Sequence, residues 1–229
     1  MSTFESSRRA LSFIVLLAAA AFAGEAPPPD AAKVEPPGAA RPDTKIEIIE
    51  TNDGIAPPPP DIFAAAKSGN VEYVKKFIEA DPVTINSRTR LLDTPLHWAV
   101  SCDQIETVKL LISKGAALNE KNISGKTPLH LATGRSRKEL MKLLLDAKAD
   151  VNAKAESDLD EEASGETPLH IAIHRCKIDI IEYLLEHKAD VNAMTKAGVT
   201  PIEIAKKRDR TDLVKLLAKN GAKGAPEEE

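Results

Sequence analysis

Apolar positions recur in a fixed frame from about residue 60 onward. The tetrapeptide Thr-Pro-Leu-His begins at Thr94, Thr127 and Thr167, and Thr-Pro-Ile-Glu begins at Thr200. Threonine suits the residue that caps a helix, proline suits the first helical position, and the third residue begins an apolar face. Each copy is followed by a second apolar run, which reads IETVKLLI, ELMKLLL, IDIIEYLL or DLVKLLA. The pattern therefore predicts pairs of short helices that repeat along the chain.

The four copies start 33, 40 and 33 residues apart, and the longer interval is one period with seven residues inserted. A 33-residue period with the motif T-P-L-H-x-A resembles the ankyrin repeat. A degenerate first copy, DIFAAAKSGNVEYVKKFIEADPVTIN, lacks the tetrapeptide but retains the final Asn86. The resemblance is specific, because a long pattern recurs in register.

The resemblance implies an all-α repeat solenoid in which each repeat is a pair of antiparallel helices with a projecting β-hairpin. Five repeats are expected within residues 60–222, at about 60–89, 90–122, 123–162, 163–195 and 196–222. The first copy lacks a preceding hairpin and the last carries the polar run KKRDRTD. Both are therefore expected to cap the array.

The first residues have the pattern of a secretory signal peptide. Arg8 and Arg9 precede an apolar run from Leu11 to Ala23, and Ala21-Phe22-Ala23 supplies the small-x-small cleavage signature. We expect residues 1–23 to be removed and the protein to be exported, to the periplasm of a Gram-negative bacterium or otherwise by secretion. The apolar run has 13 residues and is short for a membrane span, so no stable membrane insertion is expected after cleavage. A retained anchor and the choice between general and twin-arginine export stay open.

Residues 24–59 form a proline-rich linker by composition. Ten of the sixteen prolines lie between Glu25 and Pro60, and such a segment favours extended, disordered conformations. Residues 223–229 form a short acidic tail. The net charge of −4 and the pI of about 5.8 give no general attraction to nucleic acid or to anionic membranes, so neither is an expected partner.

The repeated histidines are interpreted as structural caps. The fourth residue of the tetrapeptide occupies the slot in which a capping box places Glu or Gln, and the last copy has Glu203 there. Equivalent histidines should stand roughly 8–10 Å apart, the usual spacing of packed helices, so one ion cannot bind all three. The predicted capping residues are Thr94, His97, Thr127, His130, Thr167, His170, Thr200 and Glu203.

Other chemical motifs are weak or missing. The insert ESDLDEE at 156–162 is rich in carboxylates, but an EF-hand frame would place Ala163 at its glycine and Leu169 at its glutamate. An elongated solvated hairpin is the preferred interpretation, and a weak calcium site is the alternative. Cys102 and Cys176 lie about two repeats apart and should be free thiols. The chain has no HExxH, GxSxG or CxxC motif, and we expect no cofactor, no metal site and no enzymatic activity.

A partner surface follows from the resemblance, which implies a concave groove formed by the hairpin tips and the inner helices. The candidate groove residues close the inner helices and are Lys67, Ser101, Cys102, Arg135, His174, Arg175, Lys207 and Arg208. The candidate hairpin rim is Asp93, Lys126 and Glu166. Arginines align in the last three repeats, which favours an acidic peptide or protein segment as partner. Alternatively these cations are solvated, or are neutralised by Asp93, Glu166 and the acidic insert.

The leading functional hypothesis is an exported, monomeric, non-catalytic module that binds another protein through the groove. One alternative is a redox-linked or metal-linked protective protein that uses Cys102 or the acidic insert. A second alternative is a scaffold that self-assembles through the ends of the repeat array.

Overall fold

The computed structural model describes residues 59–156 and 164–224. The expected signal peptide lies outside these ranges. The linker, the acidic insert and the tail also lie outside, except for residue 59 of the linker, residue 156 of the insert and residues 223–224 of the tail. The described helices are α1 Ile62–Ser68, α2 Val71–Ala80, α3 Pro95–Ser101, α4 Ile105–Ser113, α5 Pro128–Gly134, α6 Lys138–Asp146, α7 Pro168–His174, α8 Ile178–Glu186, α9 Pro201–Lys207 and α10 Thr211–Lys219. A 3-10 helix at Pro82–Asn86 follows α2.

The helices form five successive pairs, each with a short inner helix and a longer outer one. Consecutive inner helices, from α1 to α9, pack side by side along the array, and each packs against the outer helix of its own pair. This arrangement confirms the predicted all-α repeat solenoid. Within the described ranges, no helix is long and apolar enough to cross a membrane.

The core lies between the inner and outer rows. The third residue of each tetrapeptide is almost fully buried, as are equivalent leucines of the outer helices. These core residues are Leu96, Leu129, Leu169 and Ile202 in the inner row and Leu111, Leu144, Leu184 and Leu217 in the outer row. A single pair of helices cannot cover both faces of this layer, so neighbouring repeats stabilise one another.

The turn between the two helices of each repeat requires one residue with positive φ. Gly69 fills this position in the first repeat with φ of 76°, and Cys176 fills it in the fourth with φ of 53°. The other repeats use Asp103, Ser136 and Asp209, with φ between 53° and 61°. Cys176 is half-buried beside the core, and it and Cys102 are both free thiols.

Within the described residues, the projecting hairpins are tight turns without regular strands. The N–H groups of Thr89, Asn122 and Thr195 each donate to the carbonyl oxygen four residues later, at 3.0 Å. A loop closed by one such hydrogen bond is too short to form the series of hydrogen bonds that joins two β-strands. The insertion lengthens the hairpin after the third repeat, and there Ala155 and Glu166 form the one isolated antiparallel bridge within the described residues.

Candidate functional site

Each histidine of the repeated tetrapeptide contacts both its own repeat and the next one. The imidazole Nδ1 of His97 accepts the backbone N–H of Thr94 at 3.1 Å, which closes a capping box on α3. Its Nε2 lies 3.0 Å from the carbonyl oxygen of Lys126, in the next hairpin. His130 makes the same pair of contacts to Thr127 and the Glu166 carbonyl, at 3.2 and 3.1 Å.

The partners of the imidazole determine its protonation. A carbonyl oxygen only accepts, so Nε2 carries the hydrogen, and the threonine N–H requires a lone pair on Nδ1. His170 follows the same rule, with its Nε2 3.3 Å from the Val199 carbonyl oxygen. Each of these imidazoles is therefore neutral and donates one hydrogen bond across the repeat boundary.

Burial lowers the pKa of all three histidines, because the charged imidazolium loses its hydration. The effect brings the pKa of His130 to about 4. In the last repeat Glu203 accepts the backbone N–H of Thr200 at 2.7 Å, and this hydrogen bond lowers the pKa of the carboxyl. Three histidines and one glutamate thus close the capping box of the four inner helices that begin with the tetrapeptide.

Four of the candidate groove residues, three of them arginines, line one open cleft on the last three repeats. Arg135, Arg175 and Arg208 are exposed and directly follow α5, α7 and α9. The cleft has a volume of about 510 Å³, and Lys126, Glu166 and His174 also line it. Four basic side chains therefore face one carboxylate, a formal charge of +3.

Among the described residues, the cleft arginines contact groups other than carboxylates. Arg135 donates to the carbonyl oxygen of Ser101, and Arg208 donates to Nδ1 of His174 at 3.2 Å. The other nitrogen of His174, Nε2, lies 3.0 Å from the Glu166 carboxylate. Across residues 59–156 and 164–224, none of the three cleft arginines forms an ion pair with Asp or Glu.

The rim residues differ in their contacts. The Asp93 carboxylate accepts the side-chain N–H of Asn122 at 3.0 Å. Glu166 contacts His174, and Lys126 is half-buried at the edge of the cleft. Neither Asp93 nor Glu166 forms a direct ion pair with a cleft arginine, although Glu166 offsets one of the four positive charges there.

An apolar row, which the sequence analysis missed, adjoins the basic side chains, and its two isoleucines are buried. Its members are the residues that follow each tetrapeptide: Trp98, Leu131, Ile171 and Ile204. Leu131 and Ile171 line the same cleft as the arginines, and Ile204 lines an adjoining cleft with Lys207 and Arg208. The signal was present in the x position of T-P-L-H-x-A, which is large and apolar in all four copies.

The early repeats present a different surface. Lys67 is exposed and lies over the Trp98 ring, 5.4 Å from its centroid. Cys102 is half-buried and occupies the frame position that carries arginine in the later repeats. Lys67, Ser101, Cys102 and Asp93 line neither of these two clefts. The structure thus separates these four candidates from the basic cleft.

Metal-ligating side chains do not converge in the part of the chain that the structure describes. No group of three or more His, Cys, Asp or Glu residues there has a geometry that would hold an ion. The histidines of the tetrapeptides use both ring nitrogens for hydrogen bonds to backbone groups, as His97 does with Thr94 and Lys126.

Comparison with known proteins finds one matching family. The sequence profile described as "Ankyrin repeats (3 copies)" matches residues 62–155 and 153–226. The chain is 44% identical over 62 residues to alpha-latrocrustotoxin-Lt1a of Latrodectus tredecimguttatus, covering 27% of this chain and 4% of the toxin.

Two further relatives show the same partial overlap. BRCA1-associated RING domain protein 1 of Caenorhabditis elegans is 36% identical over 79 residues, which are 34% of this chain and 11% of that protein. Ankyrin repeat and SAM domain-containing protein 6 of Rattus norvegicus is 38% identical over 63 residues, which are 28% and 7%. The chain spans about a tenth or less of the length of these relatives.

Proposed function

The chain belongs to the ankyrin-repeat family, whose repeats are protein–protein interaction modules, and we propose that it binds an acidic segment of another protein in the cleft of its last three repeats. The proposed module is monomeric and non-catalytic. We also propose that it is exported, because residues 1–23 have the sequence pattern of a signal peptide.

The observation that carries the binding proposal is the net positive charge of the described residues that line the cleft. Arg135, Arg175 and Arg208 lie beside an apolar row in a protein whose net charge is −4. A basic patch on an acidic protein attracts and orients acidic partners. Leu131 is half-buried and offers some apolar area that gains free energy on burial, whereas Ile171 and Ile204 are already buried. Both features favour a peptide or protein segment over a small inorganic anion.

The alternative is that the cleft cations are solvated, or are neutralised by Asp93, Glu166 and the acidic insert. Asp93 contacts Asn122, and Glu166 contacts His174. The acidic insert lies outside the described residues, and the experiment below includes it by using the full chain.

The test is affinity capture from an extract of the source organism with three full-length baits. The first is the wild-type chain, and the second carries R135E, R175E and R208E. The third carries K109E, K142E and K215E, which apply the same change of charge to exposed, equivalent positions of the outer helices. Circular dichroism and urea unfolding establish that the three baits are equally helical and stable.

We expect one protein to be retained by the wild-type bait and by the outer-helix variant, and to be lost by the cleft variant. Retention by all three baits would place recognition elsewhere and would contradict the proposal. Loss of the captured protein by both variants would show that overall charge, and not the position of the arginines, determines retention. This result would also contradict the proposal. The mass of the protein recovered from its own cells tests export separately, because cleavage would leave Gly24 at the N-terminus.

A further inference from the structure

We propose that His174 is a positioning residue for Arg208, and that a carboxylate bound in the cleft draws a proton onto this histidine, so that acidic segments bind more tightly at lower pH. This inference rests on the proposed function and adds the condition that regulates it. It follows from two hydrogen bonds of the His174 ring and from the place of this ring where the two clefts meet.

His174 lies between a carboxylate and a guanidinium group. Its Nε2 is 3.0 Å from the Glu166 carboxylate, and its Nδ1 accepts an N–H of Arg208 at 3.2 Å. All three residues line both the cleft and the adjoining one. The Glu166 side chain is only 16% exposed and its backbone is fixed in the bridge to Ala155, whereas Arg208 is exposed. Arg208 is therefore the member of the three whose side chain a ligand can most easily move.

The two partners determine the tautomer of His174. A guanidinium group only donates, so the contact with Arg208 requires a lone pair on Nδ1. The hydrogen of the neutral ring then lies on Nε2, where the Glu166 carboxylate accepts it. A second proton would have to occupy Nδ1, against the N–H of Arg208. The contact with Arg208 and protonation of His174 therefore exclude each other.

A bound carboxylate removes this conflict. A guanidinium group forms stronger hydrogen bonds with a carboxylate, often two at once, than the single hydrogen bond that Arg208 donates to a neutral ring. When Arg208 turns to a ligand carboxylate, Nδ1 is free to take a proton from water. The imidazolium then lies between Glu166 and the ligand, and the formal charge of the cleft rises from +3 to +4.

The other groups around His174 keep their charge over the range in which histidine titrates. Lysine, arginine and carboxylate side chains ordinarily stay charged between about pH 6 and pH 8. Burial lowers the pKa of His130 and His170, so these two rings stay neutral there. The charged groups that line the clefts with His174 are Lys126 and Arg135 in the preceding repeat, Glu166 and Arg175 in its own, and Glu203, Lys207 and Arg208 in the next.

The direction of the pH dependence follows from linkage. The complex binds a proton that the free protein does not, so a fall in pH favours the complex, and binding of the ligand takes up protons from the solution. Histidine is the side chain that ordinarily changes its charge between about pH 5 and pH 8. One additional exposed charge contributes a small factor, so we expect an affinity about threefold higher at pH 6 than at pH 8.

The experiment is isothermal titration calorimetry of the full-length chain with N-acetylated nona-aspartate, a probe whose carboxylates stay ionised between about pH 6 and pH 8. The affinity is measured at pH 6, 7 and 8, and circular dichroism establishes that each protein is folded at each pH. Titrations at pH 7 in MOPS and in Tris, which differ in their enthalpy of ionisation, give the number of protons taken up for each bound peptide.

Two histidine variants and the cleft variant are compared with the wild type. H174Q keeps a neutral side chain that can both donate and accept, but it cannot take up a proton. H187Q is the matched control, because His187 follows the outer helix α8, lines neither cleft and lies 2.9 Å from the carbonyl oxygen of Tyr183. The cleft variant, with its three arginines changed to glutamate, shows whether the probe binds where the arginines lie.

We expect the wild type and H187Q to bind the probe about threefold more tightly at pH 6 than at pH 8, and to take up part of one proton for each peptide bound at pH 7. H174Q should bind with the same affinity at all three pH values and take up no proton. The cleft variant should not bind.

The same pH dependence in H174Q as in the wild type would overturn the inference, while the proposed function would stand if the cleft variant had lost the probe. Loss of binding by H174Q at every pH would indicate a direct contact with the ligand and would overturn the positioning role. Failure of the wild type to bind the probe would also overturn the inference, and the capture experiment would then decide the proposed function. If capture yields no partner sensitive to the arginines, the two fall together.

Discussion

His130 provides a quantitative test of the buried, neutral caps. Its ring accepts the Thr127 N–H and donates to the Glu166 carbonyl, and its side chain is almost fully buried. Protonation would place a hydrogen on Nδ1, against the threonine donor, and a charge in the core. Acid should therefore unfold the protein through this residue, and H130Q, which keeps a neutral group in the capping slot, should weaken the effect.

The magnitude follows from the two pKa values. The ordinary pKa is 6.5, and burial lowers the pKa in the folded protein to about 4. The unfolded chain then binds the proton more tightly, so the stability is fully present above pH 6.5 and is lost as the pH falls toward 4. The loss from His130 alone is about 2 kcal/mol at pH 5 and about 3 kcal/mol at pH 4, from roughly 1.4 kcal/mol for each unit of pKa difference.

The assay is urea unfolding followed by circular dichroism at intervals from pH 8 to pH 4. H130Q should lower the stability at pH 7, because the cross-repeat hydrogen bond is weakened, but its stability should fall about 2 kcal/mol less than that of the wild type between pH 7 and pH 5. E203Q changes the same slot in the last repeat. The pKa of Glu203 lies below its ordinary value of 4.5, so this control should alter the curve only near and below that pH.

Parallel pH curves for H130Q and the wild type would refute the reasoning. They would show that the imidazole does not bind a proton preferentially in the unfolded chain, and the assignment of Nδ1 as a hydrogen-bond acceptor in a dry environment would be wrong.

Three further outcomes can be checked with the same preparations. Leu144→Ala should cost about 2–5 kcal/mol in urea unfolding, because the side chain is fully buried between the helix rows. Gly125→Ala should cost more than Gly221→Ala in the same assay: both have positive φ, but a Cβ at Gly125 would lie 2.2 Å from a backbone carbonyl oxygen of the next hairpin, whereas Gly221 has open space and should cost only about 1–2 kcal/mol. Thiol titration of protein denatured without reductant should give two free thiols per chain, Cys102 and Cys176, and a value near zero would contradict the separation of the two repeats.

The fold was predictable because its sequence signal is periodic. The Thr-Pro pair marks the start of each inner helix, and the recurrence of the frame defines the solenoid without knowledge of any distant contact. The same frame predicted that the fourth residue acts as a cap, since Glu203 and the histidines share one slot.

Contacts between repeats were less accessible from the sequence. The carbonyl that His97 reaches belongs to Lys126, 29 residues away, and the His174 contact with Arg208 spans 34 residues. Such contacts depend on side-chain rotamers that no local pattern specifies. The hairpins were expected to contain strands, but their turns close too tightly to form a ladder.

The sequence identified the basic residues of the candidate site but did not indicate which candidate residues share one cleft. Alignment of the frame identified Arg135, Arg175 and Arg208, which the structure places around one cleft. It also grouped Lys67 and Cys102 with them, and these two residues line neither that cleft nor the adjoining one. The apolar row was overlooked because large apolar residues beside a helix start are usually assigned to the core.

The most direct test of groove binding is methyl NMR of the full-length chain titrated with a Glu-rich peptide. We expect the largest shift changes at the methyl groups of Leu131, Ile171 and Ile204, which line the adjoining clefts. Leu91 at a hairpin tip and Ile178 on an outer helix are exposed reference positions. Larger changes at Leu91 or Ile178 than in the apolar row would contradict the claim that the concave cleft of the last three repeats is the binding site.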